Sequence, residues 1–436
     1  MRPEFYLFKT YKYIFLLSMQ IRSGTGRINQ FVHSMLMISV VMMVAGCVPG
    51  NDVTVRATGG IDAADTDFIK EARLLFRIAA CTGMEPVPER ISTEIITQHC
   101  AELEPAMKEY AGEYVDSMKT LLAGYLPAKL PATVIYPFGG GDLLTALTTY
   151  PDATEFYTLS LELAGDIRRM DVLDDIQAYS GLKFLRDMSE NLISLRNSPT
   201  GTVNTNETLK ATQRGNFPGL IALAFIALAI HGQEPVSLRY FELADNGNIH
   251  YLGANEIAAR QGTLATPLLK EWTSPDFSAV FSNYELRFKP RGEAGPIRIH
   301  RHIAANLANP YFDPDSPVYR HLKKRGSVAA MTKGALYLLW RDGFTNIRNY
   351  LIDQIDFMIS DSTGLSPLHL PPSLFHTTAI GRFEGLFDVQ DPFIPHNAAL
   401  IEVFKHQPYR PLPYRYGYPD KANNPHMIFV QRRTSE

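Results

Sequence analysis

The sequence predicts an α/β fold in which a helical N-terminal unit precedes a mixed sheet that carries antiparallel hairpins. Three observations lead to this fold class. Apolar residues recur at helical spacing between residues 65 and 127. A strand–turn–helix–strand pattern, typical of a βαβ unit, then runs from Ala132 to Leu161. Two later pairs of apolar segments flank hairpin-type turns, Asp245-Asn246-Gly247-Asn248 and Arg291-Gly292-Glu293.

The N-terminal segment has the features of an export signal. Arg22 and Arg27 precede an apolar run, Met35–Val44, which has about half the length that a transmembrane helix requires. Counted from Met19 these features form a complete signal, so Met19 is expected to be the true start. A transmembrane anchor is the alternative interpretation of the same run.

The end of that run, Val44-Ala45-Gly46-Cys47, resembles the lipobox of bacterial lipoproteins. The resemblance implies that residues 1–46 are removed, that Cys47 carries palmitate-type acyl chains, and that residues 47–64 form a tether to a membrane of the cell envelope. Val48 stands where such lipoproteins have an Asp for inner-membrane retention, so the outer membrane is favoured over the inner one.

The net charge of the chain limits the classes of molecule that it is expected to bind. The formal net charge is −3 for the whole chain, and removing residues 1–46 takes away five basic side chains and one acid, which makes it −7. Phosphate binding depends on clustered Lys and Arg, so nucleic acid is not an expected partner. No later stretch is apolar enough to span a bilayer, and a soluble body is expected.

Two cysteines, Cys81 and Cys100, remain after Cys47 is assigned to lipid. An even number in an exported chain predicts one disulfide, which would join two helices across the turn between them. Two buried free thiols are the alternative. The absence of a Cys-x-x-Cys sequence argues against a redox active site or a zinc ribbon.

The predicted elements define three regions after the tether: a helical unit at 65–127, an α/β core at 128–305, and a helical pair with an irregular C-terminal part at 306–436. The core begins with strand Ala132–Phe138, helix Leu143–Thr149 and strand Phe156–Leu161. The elements predicted after it are, in order, helix Val172–Arg196, a fully buried helix Leu220–Ile230, hairpin strands Val236–Leu243 and Ile249–Leu252, hairpin strands Ala279–Lys289 and Pro296–Ala304, helices Ser327–Trp340 and Phe344–Ile359, an irregular tail Pro367–Pro419, and strand His426–Gln431.

The strongest candidate site is the turn Gly139-Gly140-Gly141-Asp142. A glycine-rich turn between a strand and a helix exposes backbone N–H groups to an anion or a nucleotide, and an acid after the next strand can hold ribose hydroxyls. Glu162 lies 21 residues after Gly141, close to the expected interval. A tight turn that begins a helix, with Asp142 placed there by the helix dipole, is the alternative.

This segment resembles the first motif of class I S-adenosylmethionine methyltransferases, which have a Rossmann-like sheet with a terminal antiparallel hairpin. The resemblance implies that Gly139 and Gly141 approach the cofactor and that Glu162 binds its ribose. Pro137 and Phe138 stand where that family has an acid and its first glycine. The run Tyr136–Asp142 also resembles a motif of uncharacterised exported bacterial proteins, which implies no activity.

Three further sets of residues are candidates. His300 and His302 share one face of a strand, and His369, His376 and His396 could complete a metal site with them. Solvated or hydrogen-bonded histidines are the favoured interpretation, and no metal is expected. Ser362 or Ser366 could act as a nucleophile with a His base, although no Gly-x-Ser-x-Gly elbow occurs. The tyrosines and arginines of Tyr409–Tyr418 could stack on sugar rings or on a partner, or could pack along the domain.

Two functions follow from these patterns. The first is a non-catalytic envelope lipoprotein that binds a ligand or a partner, such as an envelope protein or a glycan, and needs no cofactor. The alternative is an S-adenosylmethionine methyltransferase-like enzyme, or its vestige, that uses the Gly139–Asp142 turn. A cleft lined by Gly139, Gly141 and Glu162 would favour the enzyme, whereas Tyr136 or Phe138 in that space would favour the binding protein. An unrelated hydrolase is a third alternative.

Overall fold

One mixed sheet of ten strands organises the computed structural model, which describes residues 66–193, 218–260, 279–386, 389–412 and 415–433. The signal segment, Cys47 and the tether lie outside these residues, so the lipobox stays a prediction. The strands are β1 Thr133–Pro137, β2 Glu155–Ser160, β3 Gln233–Leu243, β4 Ile249–Tyr251, β5 Tyr284–Pro290, β6 Arg298–Ala304, β7 Val328–Met331, β8 Ile355–Ser360, β9 Phe375–Gly381 and β10 His426–Arg432.

Helices cover the sheet and connect its strands. In chain order they are α1 Ile69–Ala79, α2 Thr93–Glu109, which continues through a π-helical turn Tyr110–Val115 into α3 Asp116–Leu122, then α4 Leu143–Thr149, α5 Asp175–Ile193, α6 Gly219–Ile230, α7 Ala254–Arg260, α8 Pro317–Lys323, α9 Thr345–Gln354 and α10 Ile394–Lys405. In the described part of the chain, no helix combines the length and the apolar character needed to cross a bilayer.

The sheet is Rossmann-like at its centre. Its strand order is β4-β3-β5-β6-β2-β1-β7-β8-β10-β9, and the five strands from β6 to β8 are parallel. The chain runs from β1 outward to β2 on one side and later returns to β7 on the other, so the topological switch point lies between β1 and β7. Antiparallel strands extend both sides, including the C-terminal pair β9–β10.

The two faces of the sheet carry separate apolar clusters because successive strand residues point to opposite sides. On β1, Val134 and Tyr136 belong to the cluster under α1–α6, whereas Ile135 belongs to the cluster under α8–α10. Helices α1–α3 contribute to the same cluster as the sheet. The expectation of a distinct helical N-terminal unit is therefore not confirmed.

Several predicted elements are confirmed. Strands β1 and β2 are parallel and flank α4, β3–β4 and β5–β6 are antiparallel hairpins, and Cys81 and Cys100 form a disulfide with a Cα–Cα distance of 5.5 Å. In α6, every residue from Gly219 to Leu228 is buried. An all-apolar stretch of this length is stable in water only when it is packed on every side.

The prediction of helices at Ser327–Trp340 and Phe344–Ile359 was wrong in part. Residues Val328–Met331 and Ile355–Ser360 are the parallel strands β7 and β8, and only Thr345–Gln354 is an α-helix. Both strands are covered on both faces, so they show no alternation of polar and apolar residues, and a short apolar run of this kind resembles a buried helix. The tail predicted as irregular contains β9 and α10.

Candidate functional site

The Gly139–Asp142 turn follows β1 directly and lies at the carboxyl edge of the parallel strands, beside the switch point, where open α/β sheets bind ligands. The Gly139 N–H donates to the Tyr136 carbonyl at 3.3 Å, and the Asp142 N–H donates to the Gly139 carbonyl at 2.9 Å. Asp142 then caps α4, because its Oδ1 accepts the Thr145 N–H at 3.1 Å. The turn therefore has the placement that the sequence predicts.

The space beside the glycines is filled by side chains of the chain itself. A Cβ on Gly139 would lie 2.6 Å from Cγ of Tyr136, and one on Gly141 would lie 2.7 Å from Cδ1 of Leu223 in α6. Residues 139–142 are all buried. The absent side chains thus permit close internal packing of strand, turn and helix, which is one of the known uses of glycine at such a turn.

The turn is also fixed by a buried ion pair that the sequence analysis missed. Lys333, two residues after β7, places its Nζ 3.0 Å from Oδ2 of Asp142 and 3.0 Å from Oγ1 of Thr145. The Tyr136 hydroxyl lies 3.2 Å from the same carboxylate oxygen. Burial, together with the nearby Asp142 charge, raises the pKa of Tyr136 well above its usual value. Lys333 and Asp142 thereby connect β7 to the first turn of α4.

Glu162, the candidate ribose ligand, is buried, with 4% of its surface exposed. Its backbone N–H donates to Ser160 Oγ at 3.4 Å, and its carbonyl accepts from His302 Nε2 at 2.7 Å. The backbone around Glu162 is thereby held against β6. Tyr136 occupies the space beside Gly139, an arrangement that favours a binding protein over an enzyme that uses this turn.

The pair His300 and His302 does share one face of β6, and both rings contact the Thr158 hydroxyl on β2. His300 Nε2 and His302 Nδ1 lie 3.0 and 3.1 Å from Thr158 Oγ1, and His300 Nδ1 lies 3.1 Å from the Tyr284 hydroxyl. Burial lowers the pKa of both imidazoles. They are neutral hydrogen-bonding groups that join three adjacent strands.

The other three histidines of the suggested metal site do not join this pair. His376 lies on β9 and contacts Thr378, and five strands separate β9 from β6. His369 and His396 contact each other, with ring centroids 5.1 Å apart. Within the described ranges, only Cys81, Cys100 and Glu104 have the spacing of a metal site, and both cysteines are used by the disulfide.

Of the two candidate serines, Ser366 does meet a histidine. Its Oγ lies 2.7 Å from Nδ1 of His396, and the Trp340 ring stacks on that imidazole at 4.7 Å. Ser366 is fully buried and also caps the short helix Pro367–His369 by accepting the Leu368 N–H at 3.3 Å. No carboxylate among the described residues hydrogen-bonds to His396, so the acid of a catalytic triad is not found beside this imidazole in the described part of the chain.

Ser362 does not form such a pair. Its backbone N–H donates to Nε2 of His426 at 3.2 Å, and the other ring nitrogen, Nδ1, lies 3.1 Å from the Asn424 carbonyl. Both nitrogens of His426 are therefore engaged with backbone groups. The imidazole supports the loop after β8 and has no free lone pair for the Ser362 hydroxyl.

Aromatic rings also pack together at the carboxyl edge. Phe138 packs edge-on against Phe344 at 5.8 Å, and Tyr337 contacts Trp340 at 4.8 Å and Phe393 at 5.8 Å. Phe138 and Tyr337 adopt left-handed backbone conformations, with φ of 62° and 60°. Such strain persists only where the surrounding structure imposes it, and it is most common at ligand-binding or catalytic edges.

The sequence could have pointed to part of this arrangement. Had Val328–Met331 been recognised as a strand, Lys333 and Tyr337 would have been placed at the carboxyl edge beside the glycine turn. The packing of the tyrosine-rich segment Tyr409–Tyr418 depends on contacts with distant parts of the chain, which the sequence does not indicate. Arg410 lies over the Tyr125 ring at 5.5 Å, and Tyr416 is buried. The described residues of Tyr409–Tyr418 pack along the domain, although Tyr409 is 64% exposed, and Pro413 and Tyr414 lie outside the described residues.

The opposite edge of the sheet, where the parallel strands begin, contains an open groove of about 540 Å³. The disulfide-linked turn after α1 forms one wall, and the β5–β6 turn with the start of β3 forms the other. The lining residues include Arg73, Phe76, Thr82, Met84, Glu85, Glu234, Pro235 and Arg291. No local pattern in the sequence indicates this groove, because its walls are distant in the chain.

Comparison of the chain with protein-family models, with curated proteins and with solved structures gives no match.

Proposed function

We propose that this chain is a membrane-anchored envelope lipoprotein with a non-catalytic role in binding a ligand or a partner, built on a vestigial Rossmann-like sheet. The observation that carries the proposal is the filled glycine turn. Tyr136 and Leu223 occupy the positions beside Gly139 and Gly141, and Asp142 is engaged by Lys333. A nucleotide cofactor needs these backbone groups to be open to it.

The cell-envelope location rests on the sequence around Cys47 and on the disulfide. A bridge between Cys81 and Cys100 is typical of proteins that fold in an oxidising compartment. Acylation of Cys47 would hold the folded domain at a membrane surface, since each buried CH₂ contributes about 0.8 kcal/mol. The outer membrane is the proposed location because Val48 follows the modified cysteine.

An S-adenosylmethionine methyltransferase-like enzyme is the second candidate. The position of the glycine turn at the switch point and the antiparallel C-terminal pair β9–β10 favour it, because the resemblance at residues 139–162 implies both features. Under this alternative, Tyr136 and Leu223 would have to move before the cofactor could approach Gly139 and Gly141.

Thermal unfolding of the purified chain with S-adenosylmethionine or its demethylated product separates the two candidates. A ligand present at 100 times its Kd stabilises a protein by about 2.7 kcal/mol. We expect no shift for the wild type, and none for Leu223→Ala, in which space beside Gly141 is opened. A stabilisation that disappears in Glu162→Ala would overturn the proposal in favour of the enzyme.

The anchoring part has its own test in cells that express the full chain. Wild-type protein should incorporate radiolabelled palmitate and sediment with outer-membrane vesicles. Cys47→Ala should do neither, while Cys100→Ala, which changes a different cysteine, should keep the label. A wild-type chain that remains unlabelled and appears in the soluble fraction would contradict the anchored location.

A further inference from the structure

The groove at the amino edge of the sheet has the size and the open access of a small-ligand site. Its volume of about 540 Å³ falls within the range of roughly 300–1,000 Å³ that is usual for ligand pockets. It lies at the opposite end of the parallel strands from the glycine turn. A ligand could therefore bind there while Tyr136 and Leu223 remain in place.

The charged side chains that line the groove differ in whether another described residue forms an ion pair with them. Glu234 is paired with Lys289, with Oε1 and Nζ 3.3 Å apart. Arg73, Arg291 and Glu85 have no ion-pair partner within the described ranges, although the groove brings all three together. The unpaired charges thus sum to one positive charge. A guanidinium binds carboxylate and phosphate through paired hydrogen bonds, so an anionic group fits this set.

Apolar side chains also line the groove. Phe76 and Pro235 are buried and form its base, while Met84, on the turn that the disulfide closes, is 98% exposed. A fully exposed methionine gains nothing from folding of the free chain. Its flexible, polarisable side chain is common on surfaces that accept varied apolar partners.

The disulfide holds this wall in place. Cys81 lies two residues after the end of α1 in a left-handed conformation, with φ of 56°, and its bridge to Cys100 on α2 fixes the turn that carries Met84. Fixing a binding loop before the ligand arrives reduces the entropy that association must overcome. The groove is therefore a preorganised feature of the fold.

We infer that this groove binds an anionic amphiphile, in which a carboxylate or phosphate head lies between Arg73 and Arg291 and an apolar chain packs on Phe76, Pro235 and Met84. The inference rests on the proposed binding function and specifies its ligand class. Such molecules occur both as free fatty acids and as membrane phospholipids, and the chemistry of the head and chain is common to both.

The experiment measures binding of a fluorescent dodecanoate to the full chain, purified in a fixed concentration of a neutral maltoside detergent. Saturable binding of one molecule per chain is expected, with competition by unlabelled dodecanoate and by dodecyl phosphate. Octanoate should compete much more weakly, because each methylene lost costs about fourfold in affinity. A short-chain phosphatidic acid that competes as well as dodecanoate would indicate a lipid source, and its failure to compete would indicate a free fatty acid.

Charge-reversal variants locate the site. Arg73→Glu and Arg291→Glu should each weaken dodecanoate binding by about tenfold or more. Lys129→Glu is the matched control, since Lys129 is exposed and does not line the groove, and its affinity should change less than about twofold. Met84→Ser should reduce the dependence on chain length. The melting temperatures of these variants should be unchanged, which would confirm that they are folded, because Arg73, Met84, Lys129 and Arg291 are all exposed.

Three outcomes would overturn the inference: no saturable binding, equal affinity in Arg291→Glu and Lys129→Glu, or equally good competition by inorganic phosphate alone. None of these outcomes affects the Cys47 labelling result. The proposed ligand of the groove can therefore be contradicted while the proposal of a membrane-anchored binding protein stands. Conversely, a soluble, unlabelled chain that still binds dodecanoate at this groove would contradict the proposed lipid anchor and support the ligand site.

Discussion

The two edges of the parallel sheet differ in how their polar groups are satisfied. At the carboxyl edge, where this fold usually binds ligands, Asp142 is paired with Lys333 and the glycines are covered by Tyr136 and Leu223. At the amino edge, Arg73 and Arg291 line an open groove beside the exposed Met84. The position of a glycine turn in a sheet therefore does not determine whether a ligand can reach it.

Removing Lys333 gives the largest expected effect. Lys333→Ala leaves the Asp142 carboxylate buried without its cationic partner, and breaking such a pair costs about 3–5 kcal/mol. Chemical denaturation measures the change, with the exposed Lys323→Ala as a control that should stay within about 0.5 kcal/mol. If Lys333→Ala were as stable as the wild type, the carboxyl edge would not depend on this pair, and the contrast between the edges would fail.

Loss of the disulfide should weaken the groove side of the molecule. Cys81→Ala with Cys100→Ala should lower the free energy of unfolding by about 3 kcal/mol, because the unfolded chain is no longer constrained by the closed loop. The same double variant should bind dodecanoate more weakly, since the turn carrying Met84 is freed. Unaltered affinity in a destabilised variant would show that the bridge supports the fold without shaping the groove.

A double-mutant cycle tests the packing at the glycine turn. Gly141→Ala alone should destabilise the chain by about 1–3 kcal/mol, because its Cβ meets Leu223. In the Leu223→Ala background the same change should cost much less, since the obstructing atom is absent. Additive effects of the two substitutions would mean that Leu223 does not fill this space.

Acidification should reveal the buried histidines of the sheet. Burial lowers the pKa of His300 and His302 below 6.5, so the unfolded chain takes up protons first as the pH falls. Their contribution to stability is therefore complete above pH 6.5 and is lost below it, at about 1.4 kcal/mol per pH unit for each ring. His302→Gln should reduce this slope, whereas the exposed His376→Gln should leave it unchanged.

A second acid-dependent loss is expected at lower pH. Burial tends to raise the pKa of Glu285, but the Arg301 guanidinium and further hydrogen bonds outweigh it and lower that pKa from 4.5 to about 2. A carboxylate with a lowered pKa stabilises the fold above its unfolded value, and this contribution disappears as the pH falls from 4.5 towards 2. A stability curve that is flat from pH 7 to pH 4 would contradict the histidine assignment, and one that is flat from pH 4.5 to pH 2 would contradict the Glu285 assignment.

The sequence predicted the parts of the fold that local patterns control. The turn residues between β3 and β4 and between β5 and β6, with the apolar segments that flank them, identified both hairpins, and the apolar Leu220–Ile230 run identified a buried helix. Strands β7 and β8 were missed because burial on both faces removes alternation. The glycine turn was placed correctly, but whether its surface was open depended on Leu223, which lies 82 residues beyond Gly141.

The sequence alone therefore determined the βαβ unit, the hairpins and the pairing of the two remaining cysteines, since each depends on residues close in the chain or on a choice with one partner. The tertiary structure decided the strand order, the Lys333–Asp142 pair and the groove between the disulfide turn and the β5–β6 turn. These features join distant segments, and only burial and packing select which of them meet. For this protein, the chemistry available at each edge of the sheet follows from that selection.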